Sequence, residues 1–136
     1  MNIFLRARER IYINGAVIRV DRKTTIELLN EATFLLENHV MQAAEATTPL
    51  RRVYFAVQVM LMDPANSEQT AKLAHKLIDD AQAVFVTPEI QAGLESTLSL
   101  IKRSRNFEAL KTLRGLFPFE EKEMTTEASP GQPPAA

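Results

Sequence analysis

The stretch Glu9-Arg-Ile-Tyr-Ile-Asn-Gly-Ala-Val-Ile-Arg-Val20 decides how this chain begins to fold. Its Asn14-Gly15 dipeptide stands between two strand-like runs, and this is the strongest short-range signal for a two-residue β-hairpin turn. Both residues tolerate the positive φ angles that a type I′ turn requires. The predicted register places Ile13 opposite Ala16, Ile11 opposite Ile18, and Arg10 opposite Arg19.

A third strand is predicted to extend this hairpin into a meander. The turn Asp21-Arg-Lys23 would bring residues 24–28 beside the hairpin, with Ile18 opposite Ile26. Because successive side chains of a strand point to opposite faces, one face collects the apolar residues and is predicted to be the core. Its members are Ile11, Ile13, Ile18, Val20, Ile26 and Leu28. Residues 33–36 are predicted to form a further strand.

From residue 48 onward the spacing of apolar residues becomes that of helices. Thr48-Pro49 is typical of a helix start, and the helix that follows is predicted to end at Met62. Three more helices are predicted, with starts at Asn66, Thr87 and Asn106 and with the last one ending at Pro118.

The chain is therefore predicted to be an α+β protein, with a small N-terminal antiparallel β-sheet followed by about four helices in an antiparallel array. Residues 1–119 form one domain in this prediction, β-rich over 1–45 and helical over 48–118. The last seventeen residues contain four glutamates, one lysine and three prolines, with little to bury. Residues 120–136 are therefore predicted to be a disordered tail.

Composition excludes several classes of function. The 136 residues include 16 basic and 17 acidic side chains, and a formal net charge of −1 excludes a protein that coats nucleic acid through overall positive charge. The absence of cysteine excludes disulfides, thiol catalysis and cysteine-bound metals. Only four glycines occur, so no glycine-rich phosphate loop can be drawn, and the two histidines are far apart. We therefore predict no enzyme activity, no cofactor and no metal site.

The sequence shows neither a targeting segment nor a membrane span. Arginines interrupt the first ten residues, where a signal peptide needs a continuous apolar stretch. The longest apolar run, residues 53–62, is far shorter than the ~20 residues that a bilayer span requires. We therefore expect a cytoplasmic protein with no membrane partner.

One face of the predicted hairpin combines basic and aromatic side chains and is the first candidate binding site. Arginine directly opposite arginine is unfavourable unless an anion is present. Tyrosine can stack on an unpaired base while guanidinium groups hold phosphates, which is how many proteins bind single-stranded RNA. The candidate RNA-binding residues are Arg8, Arg10, Tyr12, Arg19, Arg22 and Lys23. The alternative is an ordinary solvated face on which Glu27 neutralises Arg19.

A second basic cluster lies in the predicted third and fourth helices and in the turn between them. Its members are Lys102, Arg103, Arg105, Lys111 and Arg114. No aromatic partner accompanies this cluster, so the polar side of two helices is the competing interpretation.

The helices also support a function of another class. Grooves between amphipathic helices commonly accept a helix of a second protein, which favours an adaptor or chaperone. The predicted strand at residues 2–6 presents an unpaired edge, so a homo-oligomer formed through this strand is a further expectation.

Long stretches of the sequence carry a resemblance to a known family. They are Arg10-Ile-Tyr-Ile-Asn-Gly-Ala-Val-Ile-Arg19, Leu29-Asn-Glu-Ala-Thr-Phe-Leu-Leu-Glu37, Val59-Met-Leu-Met-Asp-Pro-Ala-Asn66 and Phe107-Glu-Ala-Leu-Lys-Thr-Leu-Arg-Gly-Leu-Phe-Pro118. Over about residues 1–119 the chain resembles the FlbT family of flagellum biosynthesis regulators from alphaproteobacteria. The resemblance implies a post-transcriptional regulator that associates with the 5′ untranslated region of flagellin mRNA and promotes its degradation or alters its translation. The alternative partner is flagellin itself or a companion flagellar regulator.

Overall fold

The computed structural model describes residues 1–14, 16–30, 32 and 34–128 of the chain. Five strands occupy the N-terminal third: β1 (Asn2–Leu5), β2 (Arg10–Ile13), β3 (Ala16–Arg19), β4 (Thr24–Glu27) and β5 (Phe34–Leu36). Four helices follow: α1 (Pro49–Met62), α2 (Ser67–Val84), α3 (Pro88–Lys102) and α4 (Asn106–Ala128). Antiparallel strands followed by a set of helices confirm the predicted α+β class.

The β2–β3 hairpin has the predicted register. Ile11 lies opposite Ile18, Arg10 opposite Arg19, and Ile13 opposite Ala16. The predicted strand at 33–36 is also present as β5, and it pairs antiparallel with the other edge of β2. The result is a three-stranded sheet in the order β3-β2-β5, with β2 in the centre.

The predicted pairing of β4 with β3 is wrong. β4 pairs with β1, which places Ile26 opposite Ile3, and the two strands form a separate two-stranded sheet. Burial explains this choice, because Ile3 and Leu5 of β1 are almost fully buried and give Ile26 an apolar surface that β3 does not offer. Without β4 beside it, Ile18 is 43% exposed, so its prediction as a core residue is also wrong.

The two sheets enclose a small apolar cluster, and the helices form a larger one. Ile3, Leu5, Ile11 and Phe34 are the buried members of the small cluster. The larger cluster contains the apolar faces of all four helices together with Leu35 of β5. Sheet β3-β2-β5 therefore contributes one face to each cluster, because its side chains alternate in direction.

Short polar contacts join α1 to the segment that follows β5. The buried amide of Gln58 accepts a hydrogen bond from the Met41 N–H at 2.6 Å and donates one to the Met41 carbonyl at 2.8 Å. At the start of α1, the Thr48 hydroxyl accepts from the Arg51 N–H at 3.2 Å, which is the predicted N-cap. The β-rich and helical parts are thus joined by hydrogen bonds as well as by apolar packing.

Helix α4 does not end at Pro118, and the prediction of a disordered tail is wrong for residues 120–128. The helix continues to Ala128 because two of its glutamates bind the starts of other helices. Glu120 is 2% exposed, and its carboxylate accepts from the Thr48 hydroxyl at 2.7 Å and from the Leu50 N–H at 2.8 Å. These contacts offset the backbone hydrogen bond that a proline inside a helix removes. Residues 129–136 lie outside the described residues.

The second of these glutamates binds the start of α3. The Glu123 carboxylate accepts from the Val86 N–H at 3.1 Å, from the Thr87 N–H at 2.9 Å and from the Thr87 hydroxyl. The hydroxyl contact is the main reason that the pKa of Glu123 lies below its ordinary value. The C-terminal turns of α4 therefore supply anionic caps to two other helices, where the helix dipole favours negative charge.

Candidate nucleic-acid interface

Two turns rich in basic residues meet at one end of the β-strands. The Arg8 N–H donates to the Val20 carbonyl at 2.8 Å, and the Val20 N–H donates to the Glu9 carbonyl at 3.3 Å. These bonds place the β1–β2 turn beside the β3–β4 turn. Arg8 itself has a φ of 69°, a left-handed conformation that is strained for a residue with a side chain.

We call this region the basic end. It contains five of the six predicted RNA-binding residues: Arg8, Arg10, Arg19, Arg22 and Lys23, all of them exposed. Arg10 and Arg19 lie directly opposite each other across the hairpin, as predicted. Among the residues that the structure describes, neither forms an ion pair, and Glu27 does not neutralise Arg19. Of these five side chains, only Arg22 forms an ion pair within the described residues, with Asp21 at 3.8 Å, and this exposed contact contributes little. The Glu37 carboxylate lies close to Arg10, but it accepts the Arg10 backbone N–H at 2.8 Å.

The ring of Tyr12 is not open to solvent beside the basic end, so it cannot serve there as a platform on which a base stacks. It lies between Val17 and Leu35 in the sheet, and its ring packs against the apolar core of the helices. The reason is β5, which pairs with the edge of β2 and places Leu35, a member of the helical core, beside Tyr12. The exposed aromatic side chain that we predicted beside the arginines is therefore half-buried.

The structure divides the second basic cluster into two places. Lys102, Arg103 and Arg105 are exposed around the α3–α4 turn, and Lys111 is exposed further along α4. Arg105 forms an ion pair with Glu108, which reduces its availability to a phosphate. This turn lines a depression together with Asn14 at the tip of the hairpin. Arg10 lies four residues from Asn14, about 13 Å along the strand, and Arg19 lies opposite Arg10.

Arg114, the last member of that cluster, is half-buried and turned toward the β-rich part of the chain. Its Nη1 donates a hydrogen bond to the Tyr54 hydroxyl at 3.0 Å, and this hydroxyl donates to the His39 carbonyl at 2.5 Å. Burial raises the pKa of the Tyr54 hydroxyl, and the Arg114 contact partly offsets the rise. Burial, and then the Arg114 charge, lower the pKa of the His39 imidazole.

We call the surface around these residues the Arg114 depression. It has a volume of about 320 Å³ and is lined by Asn38, His39, Val40, Met41, Glu45, Tyr54, Arg114 and Phe117. Sequence reasoning missed it because Arg114 and Tyr54 are sixty residues apart. The available signal was weak: a tyrosine in the apolar run of α1 and an arginine among the apolar positions of α4.

Residues 1–14, 16–30, 32 and 34–128 contain no group of three or more acidic or histidine side chains placed to hold a metal ion. Within the same ranges, no helix is long and apolar enough to cross a bilayer.

Comparison with known proteins identifies the family. Residues 1–124 match the family described as "Flagellar protein FlbT". A probable flagellum biosynthesis repressor protein FlbT from Chelativorans sp. (strain BNC1) is 49% identical over 119 residues, which cover 88% of this chain and 82% of that protein. A protein of the same description from Brucella anthropi is 48% identical, and the match covers 100% of this chain and 89% of that protein. Another, from Brucella abortus (strain S19), is 50% identical, and the match covers 88% of this chain and 79% of that protein. No solved structure matches the chain. With a family match over most of its length and relatives at about half identity, this chain belongs to the FlbT family of flagellar proteins.

Proposed function

We propose that this protein regulates flagellum biosynthesis by binding single-stranded RNA in the 5′ untranslated region of flagellin mRNA. In this proposal it acts in the cytoplasm and performs no chemistry itself, and the bound message is degraded or translated differently. The observation that carries the proposal is the basic end, where five exposed cations meet and the opposed Arg10–Arg19 pair has no described carboxylate partner. The names of the relatives, probable flagellum biosynthesis repressors, agree with a regulatory role.

Charge explains why an anion would occupy this surface. Two guanidinium groups opposite each other on adjacent strands repel, and a phosphate between them relieves the repulsion. Arginine binds phosphate through two parallel N–H donors, which makes it better suited to this role than lysine. Tyr12 supplies no open ring, so recognition in this proposal rests on the phosphates.

The direct test is a titration of flagellin leader RNA with the full chain at two salt concentrations. Binding through four to five phosphates of a single strand predicts a slope of log K against log salt of about −3 to −4. The double variant Arg10→Gln/Arg19→Gln should weaken binding by about a hundredfold or more, because each of the two charge-assisted contacts contributes roughly 1.5–3 kcal/mol. Lys72→Gln/Lys122→Gln removes the same charge from exposed positions elsewhere and is the matched control.

This titration tests the location of the interface and the proposed function independently. A slope near zero, or equal binding by both double variants, would show that the basic end does not hold the RNA. Absence of any RNA binding by the full chain at low salt would remove the proposed function itself.

A second candidate function is the binding of flagellin or a companion flagellar regulator through the helices. Its support is a set of exposed apolar side chains on α2 and at the α2–α3 turn, where Val86 is 82% exposed and Leu73 and Val84 are about half exposed. Phe119 of α4 lies beside Val86 in a depression next to this turn. Apolar surface of this kind commonly marks a protein-binding site.

Hydrogen exchange distinguishes the two candidates. Flagellin or a companion protein bound to the helices should protect amides of α2 and the α2–α3 turn, and Val86→Ser should weaken that complex. Protection of the β1–β2 and β3–β4 turns by leader RNA, with no protection by flagellin, would instead support the RNA proposal alone.

A further inference from the structure

The Arg114 depression holds a positive charge that the structure leaves without a counter-ion. Arg114 is half-buried, yet no carboxylate of the described residues lies within ion-pair distance of its guanidinium. Its described hydrogen bond is to a neutral phenol, that of Tyr54. A guanidinium group that is partly withdrawn from water gains most from an anionic partner, since its loss of hydration is otherwise poorly compensated.

The acidic residues near this charge are already occupied by backbone groups. Glu45 lines the depression, but its carboxylate accepts the Gln42 N–H at 2.8 Å in a capping interaction. Glu37, two residues before His39, accepts the Arg10 N–H at 2.8 Å. The depression therefore presents Arg114, the His39 imidazole and the exposed amide of Asn38, and its one lining carboxylate, that of Glu45, is held by the Gln42 N–H and forms no ion pair with Arg114.

We propose that the Arg114 depression binds the phosphate and sugar of one unpaired nucleotide, as a second contact for the RNA held at the basic end. This inference rests on the proposed RNA-binding function and deepens it by naming a nucleotide pocket.

Size and composition favour a single nucleotide as the occupant. A volume of about 320 Å³ lies at the lower end of the range for small-molecule sites, and a base-paired helix would not enter it. Phe117 and Val40 provide an apolar wall for a sugar or base edge, while Arg114 supplies the phosphate contact. Arg51 lies over the Phe117 ring at 5.0 Å and adds a second positive charge behind that wall.

The chain also connects this pocket to the basic end. Glu37 binds the backbone of Arg10, and His39, on the rim of the depression, lies two residues further along. The short helical turn 37–39 thus contacts the basic end at its first residue and the depression at its last, so one single strand can reach both places.

His39 reports on the pocket independently of any RNA measurement. The full chain is titrated with uridine 5′-monophosphate while the imidazole signals of its two histidines are followed by NMR as a function of pH. An anion beside Arg114 cancels the repulsion that this arginine exerts on protonated His39, so the pKa of His39 should rise. His75, exposed on α2, is the internal control, and uridine without phosphate is the matched probe.

Two variants test the assigned contacts. Arg114→Gln retains a donor for the Tyr54 hydroxyl but removes the charge, and it should weaken nucleotide binding about tenfold or more. Asn38→Asp places a negative charge on the exposed rim with little effect on folding and should also weaken binding. Asn30→Asp, an exposed asparagine outside the depression, is the matched control.

Several results would overturn the inference. They are an unchanged His39 pKa in the presence of the nucleotide, equal changes at both histidines, equal effects of uridine and its monophosphate, and binding that Asn38→Asp leaves intact. If leader RNA still binds with the predicted salt slope in such a case, the proposed function stands and the nucleotide pocket does not. If His39 responds but leader RNA does not bind, the pocket is a site for free nucleotides, which overturns the assignment of RNA to it together with the proposed function.

Discussion

Replacing Glu120 by glutamine should destabilise the protein through the start of α1, seventy residues away. The carboxylate accepts two hydrogen bonds, from the Thr48 hydroxyl and the Leu50 N–H, in a site that is 2% exposed. Charge-assisted bonds of this kind contribute roughly 1.5–3 kcal/mol each. Glutamine can replace them only with neutral bonds of about 1 kcal/mol each, by accepting from the Leu50 N–H and donating to the Thr48 hydroxyl oxygen. Relief of the carboxylate desolvation cost offsets part of the loss, so we expect a net cost of about 1–2 kcal/mol.

Urea unfolding measures this cost, and the exposed neighbour offers a control. Glu121→Gln makes the same chemical change one residue later, where the side chain is exposed, and should alter the free energy of unfolding by no more than about 0.5 kcal/mol. In a double-mutant cycle with Thr48→Val, the Glu120→Gln effect should shrink, because the two side chains share one of the bonds. Equal stability of Glu120→Gln and the wild type would refute the anchoring of α1 by α4.

Three further predictions concern helix packing, the protonation of His39 and the C-terminal turns of α4. Gly93→Ala should cost about 1–3 kcal/mol in urea unfolding, because a Cβ there would lie 2.5 Å from the side chain of Leu116, whereas Gly115→Ala has open space and should stabilise by about 0.5–1 kcal/mol. A loss in both variants would contradict the packing described here. Because the pKa of His39 is lowered by folding, stability should fall as pH drops below its ordinary value of 6.5, and His39→Gln should remove this slope. His75→Gln, at the exposed histidine of α2, is the matched control variant. Deletion from residue 120 onward should lower the free energy of unfolding by more than Glu120→Gln alone, because it removes the acceptors at the starts of both α1 and α3.

Local chemistry was enough to predict much of the fold. The Asn14-Gly15 turn and the alternation around it specify the β2–β3 register without help from the rest of the chain. Likewise, Thr48-Pro49 and Pro88 mark helix starts through the geometry of their own backbone.

The errors arose where distant residues decide the outcome. β4 pairs with β1 because Ile3 and Leu5 form an apolar surface for Ile26. The sequence pattern around residues 21–28 does not indicate this partner. The continuation of α4 past Pro118 depends on Glu120 reaching Thr48, a contact that a charged, apolar-poor segment does not suggest.

The same difference between local and distant contacts decides which parts of the candidate site could be predicted. Arginines of the basic end could be placed opposite each other because hairpin register is local. The burial of Tyr12 depends on β5, and the Arg114 depression depends on α1 and α4 meeting, so neither followed from the sequence pattern.

The caps supplied by α4 have a consequence for the order in which a newly made chain folds. Synthesis proceeds from the N-terminus, and domains generally fold as units while it does so. Here, however, the acceptors for Thr48, Leu50, Val86 and Thr87 belong to residues 120 and 123, which leave the ribosome after all of α1, α2 and α3. A nascent chain that already contains α1, α2 and α3 therefore lacks these glutamate acceptors at two helix starts, and its helices reach their full stability only after the last turns of α4 have been made.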